Sequence, residues 1–256
     1  MATAEIIDLD DDPSSERALR VELAAAYRLV DYFGWTELIY GHLTARVPGP
    51  ELHFLINPYG LNYDEVTASN LVKIDCDGNI IGDSDYPVNS AGFVIHSAIH
   101  MAATKNKCVM HTHSRAGMAI AALKDGLRPV SMNAITFHGR VGYHDFEGPS
   151  LHLDERERLL ADLGDNKAMI LRNHGLMTVG ETIAQTFSRL YRLERASQVQ
   201  IDAAGAGPLN VVSAEVSRKA CGDAQTFVEH EGLAPGALEF AALTRKIDKI
   251  DASYRH

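Results

Sequence analysis

Apolar positions along the chain change their period repeatedly, and each change marks an element. Leu19, Leu23, Tyr27 and Val30 recur three or four apart, on one face of a helix. Ser14 or Ser15 can cap that helix, Glu16 stands in its first turn at the positive end of the dipole, and Gly34 ends the run. Between residues 42 and 86 the period falls toward two. LTARV and LHFLINP read as strands around Pro48-Gly49-Pro50, and LVKID and NII as a hairpin about Cys76-Asp77-Gly78. Residues 93–105 return to helical spacing, and residues 107–113 form a short apolar strand. A helix over SRAGMAIAALKDG stops at Gly126, residues 128–137 and 139–144 read as two further strands, and DERERLLADLG as a helix. KAMILR is a buried-type strand, and LMTVG resumes after Asn173-His174-Gly175. A long helix opens at Thr182 with Ile183, Phe187, Leu190 and Tyr191 on its apolar stripe.

Helices and strands in alternation predict an α/β layered domain. The expected organisation is an acidic flexible tail over residues 1–13, one domain over 14–204, and a C-terminal helical arm over 205–256. GAGPLN marks the junction, and the arm is expected to pack on the same domain or on a neighbouring subunit.

Composition narrows the function. The 256 residues are 46% hydrophobic and 23% charged, enough for a sizeable core without disulfide or metal staples. A net charge of −10 with no basic run argues against nucleic acid and against anionic membranes as partners. Three cysteines without a CxxC pair read as reduced thiols. The first residues lack a basic and an apolar region of a secretory signal, and no apolar run reaches bilayer length. A cytoplasmic protein is expected.

The histidines carry the chemistry. His111 and His113 alternate at the end of an apolar strand, so both imidazoles can reach one face. His174 closes a second apolar strand just before Gly175, where the chain can turn freely. If the two strands are neighbours, three imidazoles meet at a rim, which is the ligand set of a catalytic metal centre with an open position. Spacing alone leaves the metal and the structural readings side by side.

HTHS, preceded by AGFVIHSAIH and followed by the NHG turn, resembles the class II aldolase/adducin family from about residue 18 to the tail DASYRH. The resemblance implies a three-layer α/β/α sandwich around a central mixed, largely antiparallel sheet, and a homo-oligomer, commonly a tetramer with sites between subunits. It also implies a divalent metal on His111, His113 and His174, zinc first, with Fe2+, Mn2+ or Co2+ as the other candidates.

The chain departs from the sugar-phosphate aldolases of that family. Their catalytic Glu aligns with Gly92 in Ser90-Ala91-Gly92. Their phosphate-binding segments appear as Gly41-His42-Leu43-Thr44 and Tyr59-Gly60, which keep backbone amides and lose side-chain donors. Gly41, His42, Tyr59, Gly60, Ser90, Gly92 and His96 are therefore expected to line the substrate site, with His100 buttressing it. His138 and Tyr143, in the stretch with His144 and Asp145, resemble the family's proton-donor edge; polar residues on a surface strand are the alternative. Tyr254 and Arg255 resemble a tail that reaches a neighbouring active site, against an exposed frayed end. Tyr254 thus joins His138 and Tyr143 as a catalytic candidate.

Three neutral imidazoles leave a bound ion its full charge to act on a 2-oxo or 2-hydroxy group. Aldol cleavage also requires a base and an acid, whereas decarboxylation requires only the returning acid, so losing the Glu hurts the first more. The leading expectation is a metal-dependent C–C lyase, by retro-aldol cleavage or decarboxylation, on an unphosphorylated hydroxy- or oxo-acid. An iron(II) oxygenase on the same histidines and a non-catalytic adducin-like binding module are the alternatives, since imidazole suits several metals.

Overall fold

The computed structural model describes residues 15–102, 105–148, 152–230 and 234–256; the tail expected over residues 1–13 lies outside them. In chain order the elements are α1 (Glu16–Tyr32), β1 (His42–Arg46), β2 (Phe54–Ile56), β3 (Val72–Ile74) and α2 (Ser90–Met101). Then come β4 (Cys108–Thr112), α3 (Arg115–Ala121), α4 (Met132–Ile135), β5 (Val141–His144), α5 (Glu155–Leu163), β6 (Ala168–Leu171) and β7 (Gly175–Gly180). α6 (Ile183–Ala206), α7 (Ala214–His230) and α8 (Ala237–Asp248) complete the chain, with 3-10 turns at Tyr63–Glu65 and Ser253–Arg255.

The seven strands form one mixed sheet in the order β3-β2-β1-β4-β7-β6-β5. All pairs are antiparallel except β5 with β6. Side chains alternate across it. Cys108 and Met110 face a large core with Leu23 and Tyr27 of α1, Ile120 of α3, Phe187 and Leu190 of α6 and Phe240 of α8. Val109, Met169 and Met177 face the other way, onto Ile95 and Ile99 of α2 and Leu159 and Leu163 of α5. The result is the three-layer α/β/α sandwich. Among the described residues no helix is long and apolar enough to cross a membrane.

Local chemistry explains the boundaries. Ser15, the second of the two candidate caps, accepts the Ala18 N–H at 3.1 Å, and Thr182 accepts that of Gln185 at 3.1 Å. The strand expected over 128–137 is absent. Ser131 caps the short α4 there by accepting the Ala134 N–H, and Gln200 of α6 accepts the Arg128 N–H at 2.7 Å and donates to the Gly126 carbonyl at 2.9 Å. A side chain thus satisfies backbone groups that a ladder would have used. α6 runs into the expected junction as far as Ala206, and Phe240, Ile247 and Tyr254 beyond it join the main core.

Register places one end of the sheet for function. His42 is the Cα partner of His111, Thr112 of Leu176, and Leu171 of Gly175. The start of β1, the ends of β4 and β6 and the start of β7 therefore share one rim.

Candidate metal centre

His111 is the fourth residue of β4, and His113 follows the strand's end. His174 is delivered by the turn between β6 and β7. Asn173 sits there at φ 55, a left-handed conformation that Asn tolerates better than most side chains. The turn is pinned by the Asn173 N–H on the Ala121 carbonyl and the His174 N–H on the Leu171 carbonyl, both at 3.0 Å. Gly175 is required by closeness. A Cβ on it would overlap the Thr112 carbonyl oxygen and stand 3.3 Å from His111 Cε1 and His113 Cδ2. Each residue of the NHG motif thus has a separate task.

One ring nitrogen from each of the three histidines lies within 4.8 Å of the other two. His111 Nε2 is 2.8 Å from His113 Nε2, which is 3.0 Å from His174 Nε2. His111 Nδ1 is 2.9 Å from the Leu176 carbonyl oxygen, an acceptor only, so Nδ1 carries the proton. His113 Nδ1 faces a Glu37 carboxylate oxygen at 3.0 Å and does the same. The two Nε2 atoms then present lone pairs to each other, an arrangement that a cation between them satisfies. Burial, reinforced by the neighbouring imidazoles, pushes His174 down to about 4 and His111 well below its ordinary value; burial also lowers His113. All three stay neutral at pH 7, as metal ligands must. The donor set fits zinc or a similar ion, and the outer contacts of His111 and His113 are of the kind that orient ligand rings.

Ser114 completes the HTHS motif. It accepts the Gly117 N–H at 3.1 Å to cap α3, and its hydroxyl donates to the buried Glu194 of α6. Burial raises that carboxyl's pKa, while the bonds from Ser114 and Gln198 lower it.

A second set of imidazoles lies on the α2 side of the sheet. Thr44 Oγ1 is 2.8 Å from His96 Nδ1 and 2.8 Å from His100 Nε2, so the single hydroxyl proton gives these bonds opposite directions. His42 meets His96 edge-on at 5.8 Å between ring centroids. Burial pushes His42 and His100 down to about 3 and His96 well below the usual range. The backbone N–H and C=O of Leu43 both meet the Tyr27 hydroxyl, at 2.8 and 2.7 Å, which fixes the start of β1.

Other expected site residues fall in several places. Gly41 is buried at φ +84, where a Cβ would be 2.7 Å from the Tyr63 hydroxyl, so it serves close packing beside His42. Tyr59 and Gly60 follow β2 at the same end of the sheet, with open space at Gly60. Ser90 opens α2, and its side chain lies outside the described atoms.

His138 and Tyr143 line a cavity of about 140 Å3 that none of the three histidines lines. Tyr143 packs on the large core, on the opposite face of the sheet from His111, and its hydroxyl accepts the Leu127 N–H. Neither is brought to the cluster within this chain. Tyr254 is not the exposed, frayed end that the alternative expected. Its ring is fully buried, and its hydroxyl donates to Asp248 at 2.5 Å. His144 joins β5 to α5 through Asp162 at 2.7 Å and Glu155 at 3.4 Å, and Asp145 pairs with Arg172.

Sequence reasoning missed Glu37 and Glu194, whose roles depend on chain segments far away in sequence. A carboxylate on a helix stripe that is otherwise apolar was the available signal for Glu194.

The profile described as Class II Aldolase and Adducin N-terminal domain matches residues 21–201. A putative aldolase class 2 protein of Caulobacter vibrioides is 43% identical over 245 residues, covering 94% of this chain and 93% of its own. Alpha-adducin of Rattus norvegicus is 43% identical over 249 residues, covering 92% of this chain and 34% of its own. Among solved structures, an aldolase II superfamily protein from Pseudomonas syringae aligns with a TM-score of 0.86 at 48% identity, covering 94% of this chain and 96% of its own. L-fuculose 1-phosphate aldolase from Glaciozyma antarctica aligns with a TM-score of 0.81 at 30% identity, covering 94% of this chain and 93% of its own.

Proposed function

The chain belongs to the class II aldolase and adducin family, and from that premise we propose that it is a divalent-metal-dependent C–C lyase. Its substrate is an unphosphorylated 2-hydroxy or 2-oxo acid, and the reaction is retro-aldol cleavage or decarboxylation. The observation that carries the reading is the paired Nε2 lone pairs of His111 and His113, each fixed by an outer partner, with His174 Nε2 beside them. Two acceptors facing each other at that separation repel unless a positive group lies between them.

His111, His113 and His174 would hold the ion, with zinc first among the candidates. When bound, it supplies Lewis acidity toward an oxygen of the substrate where negative charge develops. The chain's own residues do the rest. Leu176 and Glu37 keep the ligand rings in one tautomer, and Gly175 leaves the room they need. His42 opens β1 at the same rim, with Tyr59 and Gly60 beyond the end of β2 and Gly92 of α2 against its ring. No carboxylate stands at position 92, so decarboxylation, which needs only a returning acid, suits the site better than aldol cleavage. His138 and Tyr143 face away from their own cluster, so as proton donors they would serve a neighbouring subunit of a homotetramer. A cytoplasmic location agrees with the three unpaired cysteines.

Elemental analysis of protein purified without added metal tests the reading. Near one zinc per chain, lost in His111→Ala and His174→Ala, supports it and leads to a screen of hydroxy- and oxo-acids for aldehyde or carbon dioxide release. Substantial iron with oxygen consumption in step with product would replace it by an oxygenase. The 43% identity to alpha-adducin favours a second reading, a binding module. Protein that holds no metal and cannot be reloaded would overturn both enzyme readings and leave that one.

A further inference from the structure

Another residue takes the side-chain volume at position 92. A Cβ built on Gly92 would stand 2.5 Å from Cε1, Cγ and Nδ1 of His42. Any residue other than glycine there must displace the imidazole, so a side chain on α2 and the His42 ring on β1 exclude each other. The ring is well placed for the centre. His42 is the Cα partner of His111 across the β1–β4 ladder and shares its face of the sheet. It is only 5% exposed, yet neither Nδ1 nor Nε2 has a hydrogen-bond partner among the described residues. A buried polar atom without a partner is costly, and native chains keep few of them. A leucine or phenylalanine would fill the same space without that cost.

We propose that His42 is the hydrogen-bonding partner of the substrate, presenting a ring nitrogen to a hydroxyl or carbonyl oxygen of a chelating 2-hydroxy or 2-oxo acid, and that Gly92 stays small to admit the ring. The inference rests on the lyase reading and gives its substrate pocket a polar wall. An imidazole held neutral offers one donor and one acceptor without charge. That suits a hydroxyl or carbonyl and gives no counter-charge to a phosphate. His96 stands behind the ring, fixed by Thr44, and limits its rotation.

The test uses the full chain loaded with cobalt(II), whose visible spectrum reports ligands entering the metal, titrated with acetohydroxamate as a chelating probe. His42→Leu should weaken the probe about three- to tenfold, the worth of one neutral hydrogen bond, at unchanged cobalt content. His42→Gln, which keeps a donor and an acceptor, should regain most of it. Gly92→Ala should weaken the probe in the native background and add little in His42→Ala. Equal probe affinity for the native chain, His42→Leu and His42→Gln would overturn the proposal, as would additive losses from Gly92→Ala and His42→Ala. If His42→Leu does not fold, the Gly92 cycle decides alone. A native chain that takes up no cobalt would end the lyase reading and this one with it. Cobalt and probe binding that ignore His42 would end only this one.

Discussion

Moving the metal-stripped protein from pH 7.5 to 5.5 should cost it about 4 kcal/mol of stability through three buried histidines of β1 and α2 alone. His42, His96 and His100 are 5%, 0% and 1% exposed. Burial disfavours their charged forms, holding His42 and His100 at about 3 and His96 well below the usual range. In the unfolded chain each titrates near 6.5. One pH unit below that value, an unfolded imidazole gains about 1.4 kcal/mol from its proton while the folded one stays neutral. Three such groups give about 4 kcal/mol, a large share of the roughly 5–15 kcal/mol available to a domain. The sign is fixed. The unfolded state binds more protons, so stability is complete above about pH 7 and falls as the pH drops toward 3. The buried carboxyls of Glu22 and Glu194, raised by burial, act in the opposite direction. Urea unfolding at half-unit pH intervals reads the slope, expected at about three protons or more at pH 5.5, because His111, His113 and His174, also lowered by burial, add to it in the metal-free protein. His100→Leu should lower that slope by about one proton, whatever it does to stability itself. A slope below one proton, or stability that rises on acidification, would refute the account of the buried layer.

Three further outcomes are expected. Gly175→Ala should cost about 1–3 kcal/mol in chemical denaturation and weaken zinc in chelator competition, because the added methyl meets Thr112, His111 and His113. Glu37→Gln should leave the melting temperature of the metal-free protein unchanged while lowering zinc affinity about tenfold, since it removes only the carboxylate behind His113. Ser114→Ala should cost about 1–3 kcal/mol, read as a lower melting temperature, because it removes both the α3 cap and a donor to buried Glu194.

The sequence alone was sufficient wherever the deciding interaction is short in range. Period-three-or-four spacing located α1 and α6, and their caps are side chains three residues from the N–H they accept. The alternation of His111 and His113 at a strand end, and the Asn-His-Gly turn, were also legible, because strand geometry and backbone freedom act on neighbours. Residues 128–137 were misread for the converse reason: Gln200, some seventy residues away, takes the backbone groups on which a strand would depend. Tyr254 reads as a polar tail residue and is buried because Asp248 and α1 close over it. The β4–β7 register that sets His174 beside His111, the Glu37 carboxylate behind His113, and the His42 ring over Gly92 each join segments dozens of residues apart. Pattern along a chain fixes what each segment is; only packing, which brings distant segments within a few ångströms, decides which side chains share a site.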